Sequence, residues 1–415
     1  MNSPSAVTRL TPLAEAERLE PPDFAPPEGT AGDTIAAQTI AFTPTPFAFR
    51  DPATIPRRQF VYSRHYIRQF LSATVAPGGV GKSSLALVEA VAMASGRDLL
   101  GILPPSPLRV WYVNLEDPRE EIERRVAAIC LHFGIDPSEI EGRLFFDGRE
   151  TEIIIATQTK SGAVIAAPVV EGLKAALKAG AFDVLIIDPF VSAHRVAEND
   201  NPAIDAVAKT LGRIAGEANC AIELVHHVRK TGGAEVTAED GRGASALIAA
   251  ARSVRVLNRM SDDEATKAGV ADEERRFHFR SDIDKANLAL PGKSTWLKLA
   301  SVGLGNGGLD DQDYIAVATL WHWPDAFDGV SVADLRAVQA RVSEGRYRKD
   351  QQANDWVGIA IAAVLRLDLS TKAHKAKVAG LLATWIKTGM LVVVEGQDDK
   401  RRPRQFVEVG TAASD

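Results

Sequence analysis

Cysteine is nearly absent from this chain. Only Cys130 and Cys220 stand among 415 residues. Neither sits in a CxxC pair or a His-rich tract, which excludes a disulfide framework and a sequence-local zinc site; both read as free thiols of a reducing compartment. Long apolar runs are missing too. The best candidates are broken by Glu89 or by Gly and Pro, so no membrane contact is expected. No basic stretch leading into an apolar core opens the chain, and the expected location is cytoplasmic. Positive charge is not in excess either. A formal net charge of −6 argues against indiscriminate coating of nucleic acid, although a local basic channel needs no net charge. No internal repeat of fixed period is visible. What remains is ordinary globular composition, with material for two or three domains.

Residues 1–56 are rich in Pro, Ala and Glu, with Pro21, Pro22, Pro26, Pro27, Pro44, Pro46, Pro52 and Pro56 spread through them. That spacing forbids long helices, so a disordered arm is expected, with or without a docking role. Over 57–303 short β-branched runs alternate with amphipathic stretches. Strands are predicted at 70–75, 110–115, 144–147, 184–188, 222–226, 254–258, 277–280 and 296–299. Helices are predicted at 82–95, 119–133, 168–180, 202–219 and 244–251. Such alternation predicts an α/β domain with a mostly parallel sheet sandwiched by helices and an antiparallel extension at one end. Over 312–410 three helical stretches (331–343, 352–366, 374–388) precede two strands. This is the order of a small α+β winged-helix-like domain. Between the two strands lies a tip bearing Lys400, Arg401, Arg402 and Arg404, which reads either as a nucleic-acid or partner contact or as a solvated loop, since Asp398 and Asp399 partly cancel it.

The octapeptide Ala76-Pro-Gly-Gly-Val-Gly-Lys-Ser83, set between a predicted strand and a predicted helix, is built to hold a nucleoside triphosphate. Gly78, Gly79 and Gly81, with Val80 between them, let backbone N–H groups crowd round phosphate oxygens where a Cβ would intrude. Lys82 is expected on the β- and γ-phosphates, Ser83 on Mg²⁺ and Ser84 in the same cradle at the helix start. The motif opens with Ala76 where Gly is usual.

Three further strand ends carry polar groups. Asp188 closes Val184-Leu-Ile-Ile-Asp188 and suits a metal-side carboxylate. Glu116 follows the strand at 110–115 and is the expected general base. Asp117-Pro118 beside it reads as a helix N-cap and N1 pair. His226 and His227 end a third strand. His227 is the preferred γ-phosphate sensor; metal binding is the rival reading, but no third ligand stands at useful spacing. The Gly-rich polar stretch 229–243 follows directly, the profile of a functional loop. Within it Arg229 and Lys230 are candidates for a phosphate backbone. Arg242, between Gly241 and Gly243, is placed to reach outward.

Taken together these motifs resemble the RecA-like ring ATPases, and within them the plasmid- and phage-type RepA hexameric replicative helicases. The residues that carry the resemblance are Pro77-Gly-Gly-Val-Gly-Lys-Ser83, Asn114-Leu-Glu-Asp-Pro118, Leu185-Ile-Ile-Asp-Pro189, Val225-His-His227 and Arg242-Gly-Ala-Ser245. The resemblance implies ATP and Mg²⁺ as cofactors, a homo-hexamer, single-stranded DNA as partner and other replication proteins as possible contacts. It implies Arg242 as a finger acting across a subunit interface, Arg125 as a link between nucleotide and DNA loop, and Lys285 as a basic group offered to a neighbour's nucleotide. An ATP-regulated DNA-binding protein without processive unwinding is the second reading. A small-molecule kinase is disfavoured because no acceptor-site lid is recognisable.

Overall fold

The computed structural model describes residues 43–228, 235–237, 245–288, 294–308 and 311–413. It divides the chain into two units, Met1–Pro56 and Arg57–Asp415. In the first, the described residues 43–56 are extended except for one 3₁₀ turn at Pro52–Thr54. The Asp51 carboxylate opens that turn by accepting the Ala53 N–H at 2.9 Å.

The second unit opens with a short hairpin, β1 (Phe60–Tyr62) and β2 (Tyr66–Ile67). Then come β3 (Leu71–Pro77), α1 (Lys82–Ser95), β4 (Val110–Asn114), α2 (Arg119–Phe133), α3 (Pro137–Ile140) and β5 (Leu144–Asp147). A second hairpin, β6 (Ala156–Thr159) and β7 (Gly162–Ile165), leads to α4 (Ala167–Ala179), β8 (Val184–Asp188), α5 (Asn201–Ala218) and β9 (Ala221–Val228). Beyond lie α6 (Ser245–Ala250), β10 (Ser253–Arg259), α7 (Asp262–Ala268), α8 (Asp272–Arg275), β11 (His278–Ala286), β12 (Thr295–Gly303) and β13 (Tyr314–Leu320). The C-terminal part holds α9 (Val332–Ser343), β14 (Tyr347–Arg348), α10 (Val357–Leu365), α11 (Lys372–Lys387), β15 (Leu391–Gln397) and β16 (Pro403–Val409).

One nine-stranded sheet organises the ATP-motif region, in the order β13-β12-β11-β10-β3-β9-β8-β4-β5. From β10 to β5 all neighbours are parallel, and β11, β12 and β13 extend it antiparallel. Helices cover both faces, so the central strands are buried on both sides. In β8, Val184 and Ile186 pack towards α1 and α2, while Leu185 and Ile187 pack towards α4 and α5. The sheet runs past the boundary expected at 303, because β13 pairs with β12 from Gly303↔Tyr314 to Leu297↔Leu320.

Beneath α1 the sheet carries a buried polar layer that the sequence does not announce. The Arg255 guanidinium meets the Glu89 carboxylate through both Nη atoms (2.5 and 2.6 Å) and Thr74 Oγ1 through Nε (2.6 Å). Tyr66 donates to Glu89 at 2.7 Å, and Glu223 accepts from Ser72 and Thr74 and faces His65 at 2.9 Å. Every member is buried and hydrogen-bonded, the condition under which charges survive in a core.

In the C-terminal part, α9, α10 and α11 enclose a core with Trp356, Leu381 and Trp385, and β14-β16-β15 form a small antiparallel sheet. The N-terminus of α11 rests on the larger sheet's α7–α8 corner. Lys372 reaches Asp272 at 2.6 Å, and a Cβ on Gly269 (φ +69°) would lie 2.4 Å from the Ala373 Cα. No helix among the described residues is long and apolar enough to cross a membrane.

Candidate active site

The site forms where β3, β8, β4 and β9 end together. After Pro77 the chain turns through Gly79 (φ +72°) and Gly81 (φ +110°), a left-handed path that a side-chain-bearing residue adopts only with strain. At Gly81 a Cβ would also stand 3.1 Å from Leu299 and 3.3 Å from Phe279. The antiparallel extension thus presses on the loop and keeps this position small. Ala76 at the motif's first place has no positive φ and continues β3, so glycine is not required there.

Lys82 begins α1 and is buried. Its ammonium donates to the carbonyls of Ala76 (2.9 Å) and Pro77 (2.8 Å), folded over the loop it would share with phosphate. Burial pulls its pKa down to about 8, against the opposing pull of Asp188 and Glu116. Both carboxylates are therefore within the ammonium's field.

Asp188 is fully buried, and desolvation raises its pKa. It accepts hydrogen bonds from Ser83 and from the Tyr112 hydroxyl, the latter at 2.7 Å. Asn114, paired with Asp188 across β4 and β8, shapes the next turn: its Oδ1 accepts from the N–H groups of Glu116 (3.0 Å) and Asp117 (2.7 Å). That turn brings Glu116 towards Lys82 and Asp188. Burial first, then Asp188 and Asp117, raise the Glu116 pKa, a shift in the direction that helps a carboxylate take a proton. A hydroxyl and a buried carboxylate side by side are hard oxygen donors. They fit Mg²⁺, which needs few protein ligands when phosphate and water supply the rest.

Register sets His227 beside Ala76 and His226 beside Val75. Burial draws both imidazoles down to about 4, with Lys82 acting on each in the same sense, so both are neutral at pH 7. They differ in access. His226 is 4% exposed and lies 6.1 Å from the Phe190 ring, whereas His227 is half-buried at the mouth. Among the described residues no group of three His, Cys, Asp or Glu could hold a metal.

Arg125 joins the Glu116 turn to α2 through Asp117 (2.8 Å) and Glu121 (3.0 Å), and its charge acts on Asp188. Three expectations change here. Asp117 does not cap α2: Pro118 occupies the N-cap, and the Asp117 carboxylate holds Arg125 instead. Ser84 turns its hydroxyl away from the cradle, donating to Ala316 O at 2.9 Å and accepting from Ala318 N at 2.8 Å, so it pins α1 to β13. Lys285 also differs. Its ammonium is held by the carbonyls of Ile248 (2.6 Å) and Ala249 (3.0 Å) at the end of α6, where a helix favours a cation, so it is engaged within its own subunit. Arg229, Lys230 and Arg242 lie outside the described residues.

The sequence reading gave no role to Tyr112, Asn114 or Arg259. Arg259 ends β10 beside the loop and donates to the Gly79 carbonyl at 2.6 Å. Its one sequence signal is position, as the terminal residue of a strand that leads to the crevice.

Comparison with known proteins agrees with this geometry: residues 36–233 match the AAA domain family. The chain is also similar in structure to a DnaB-like replicative helicase, solved with its interactions with primase. The identity is 15% and the TM-score 0.39 over 58% of this chain and 57% of that one. A second similarity is to the RadB recombinase, at 17% identity and a TM-score of 0.36 over 57% of this chain and 89% of that one. The chain thus spans little more than half the length of the helicase it matches.

Proposed function

We propose that this chain is a ring-forming, ATP-hydrolysing DNA motor, a replicative helicase of a plasmid, phage or prophage that translocates on single-stranded DNA in the cytoplasm. The observation that carries the reading is the meeting of Lys82, Ser83, Asp188 and Glu116 at one strand-end crevice. A passive nucleotide sensor needs the first three; a raised-pKa carboxylate beside them is what hydrolysis adds. Lys82 and the Gly78–Lys82 amides hold ATP phosphates. Ser83 and Asp188 hold Mg²⁺, which would neutralise phosphate charge and orient it. Glu116 takes the proton of the attacking water, and neutral His227 hydrogen-bonds the γ-phosphate. His227 leads straight into 229–243, so the presence of γ-phosphate is relayed to Arg229 and Lys230 on DNA. Arg242 completes the neighbour's site in a homo-hexamer.

The order α9-β14-α10-α11-β15-β16 supports a second reading, an ATP-regulated protein whose winged-helix-like C-terminal part engages duplex DNA or other replication proteins. One titration separates the two. Steady-state hydrolysis stimulated at least about tenfold by single strands supports the motor; turnover indifferent to single strands, together with tight duplex binding, removes it in favour of the second reading.

A further inference from the structure

Short strand β14 changes the charge pattern of the C-terminal part. It pairs with β16 at Tyr347↔Val407 and Arg348↔Phe406, and Lys349 N–H extends the ladder to the Gln405 carbonyl at 3.0 Å. Arg346, about fifty residues before the β15–β16 turn, therefore stands beside Lys400 and Arg402 on one exposed surface, with Arg401 next to them at the turn. The surface is held rigidly. The Arg346 guanidinium lies 4.1 Å from the Phe406 ring centroid and donates to the Gln397 carbonyl at 2.8 Å.

Of the acids nearby, Asp399 lies among Arg346, Lys400 and Arg402 and offsets one positive charge, while Asp355 and Asp398 are occupied. Asp355 takes Arg348 at 2.5 Å. Asp398 accepts the N–H groups of Lys400 and Arg402, each at 2.9 Å, and lies 3.5 Å from Arg404 Nε. Its carboxyl is held below the usual range by those turn contacts. Among the described residues, Arg346, Lys349, Lys400, Arg401 and Arg402 have no carboxylate at ion-pair distance.

The third helix is placed differently. The start of α11 is closed against the α7–α8 corner through Lys372–Asp272 and the Gly269–Ala373 contact, and Lys377 donates to the Asp328 carbonyl. A helix fixed in that way cannot enter a groove end-on. The basic surface also offers no free aromatic face: Phe406 is 5% exposed beneath Arg346. Single strands are gripped by stacking as well as charge, so a cationic, rigid surface suits the regular phosphate rows of a duplex.

We propose that the β14–β16 face and the β15–β16 turn bind the phosphodiester backbone of duplex nucleic acid, without base reading and without α11. The inference rests on the duplex engagement of the second reading above and names its surface. It does not require hydrolysis.

The test is fluorescence anisotropy of a labelled 20-base-pair duplex with the full chain, across a salt series. The triple variant Lys400→Ala, Arg401→Ala, Arg402→Ala is expected to bind at least about tenfold more weakly, with the log–log salt slope reduced by about 2 to 3. Arg346→Ala is expected to weaken binding by a smaller factor, and Lys375→Ala on α11 to leave it unchanged. Parental duplex affinity in the triple variant overturns the proposal. So does a greater loss from Lys375→Ala, an unchanged salt slope, or the absence of duplex binding in the parent. Single-strand stimulation of the ATPase is measured on the same variants. Its absence in the parent would count against the motor alone, and basal ATP hydrolysis at the parental rate in the triple variant shows that the chain is folded.

Discussion

Tyr112 donates its hydroxyl hydrogen to Asp188 at 2.7 Å from the adjoining strand, so the carboxylate at the heart of the site is aimed by a neighbour that touches no ligand. Buried carboxylates otherwise take any direction their rotamer allows. Tyr112→Phe leaves the ring packing and deletes one hydrogen bond, worth about 1 kcal/mol. Half-saturation of hydrolysis by Mg²⁺ should rise about fivefold with little change in maximal rate, whereas Asp188→Asn should reduce that rate at least about a hundredfold. An unchanged Mg²⁺ titration in Tyr112→Phe would refute the aiming role.

Lys82 gives the free protein a titration near pH 8. Phosphate stabilises the ammonium, so nucleotide binding raises that pKa. ATP affinity should therefore be level below pH 8 and fall towards about tenfold per unit above it. The limb vanishes in Lys82→Ala, together with hydrolysis. Binding of a fluorescent ATP analogue from pH 6.5 to 9.5 measures this, and a flat profile to 9.5 would contradict it.

Arg259 fixes the Gly79 carbonyl from outside the loop and so steadies the amides that face phosphate. Arg259→Ala should raise the KM for ATP about fivefold while kcat changes less than about twofold, and Arg259→Lys should recover part of the loss. A fall confined to kcat would instead place the guanidinium on the reacting phosphate.

Arg255 and Glu89 form a buried pair, and removing one leaves the other charged in the core. Arg255→Met is expected to cost about 3–5 kcal/mol, and adding Glu89→Leu should return a good part of it. Urea unfolding of the two variants reads the difference. Equal stability of the single and double variants would mean Glu89 finds another partner.

Arg242→Ala should bind ATP and assemble normally yet hydrolyse at least about a hundredfold more slowly. Mixed with Glu116→Gln subunits, it should regain activity, because each would supply what the other lacks at a shared interface. Mixtures as inactive as the parents would argue that Arg242 acts within its own subunit.

The helices and parallel strands were legible because their signals are local. β8 shows itself as four apolar residues closed by Asp188, and the loop before α1 by glycines at positive φ. β6 and β7 were invisible: Thr157–Thr159 are exposed, so no apolar alternation marks the strand. β13 joins the sheet through its pairing with β12 and packs on α1 with the Ser84 bridge, and long-range pairing of this kind leaves no local pattern. The polar layer under α1 escaped for a related reason. Ser72, Glu89, Glu223 and Arg255 are as much as 183 positions apart and each alone resembles a surface residue.

The chain's own order of residues determined the strand–loop–helix units, because backbone sterics and apolar periodicity act over a few residues at a time. It thereby fixed which groups end each strand: Lys82 after β3, Glu116 after β4, Asp188 on β8 and His227 on β9. Only the tertiary structure decided that these ends meet. Sheet register set Asn114 beside Asp188 and Ala76 beside His227. Burial in the shared crevice then moved Lys82 down and Glu116 up, since a proton's free energy depends on the charges and solvent around it and not on its neighbours in sequence.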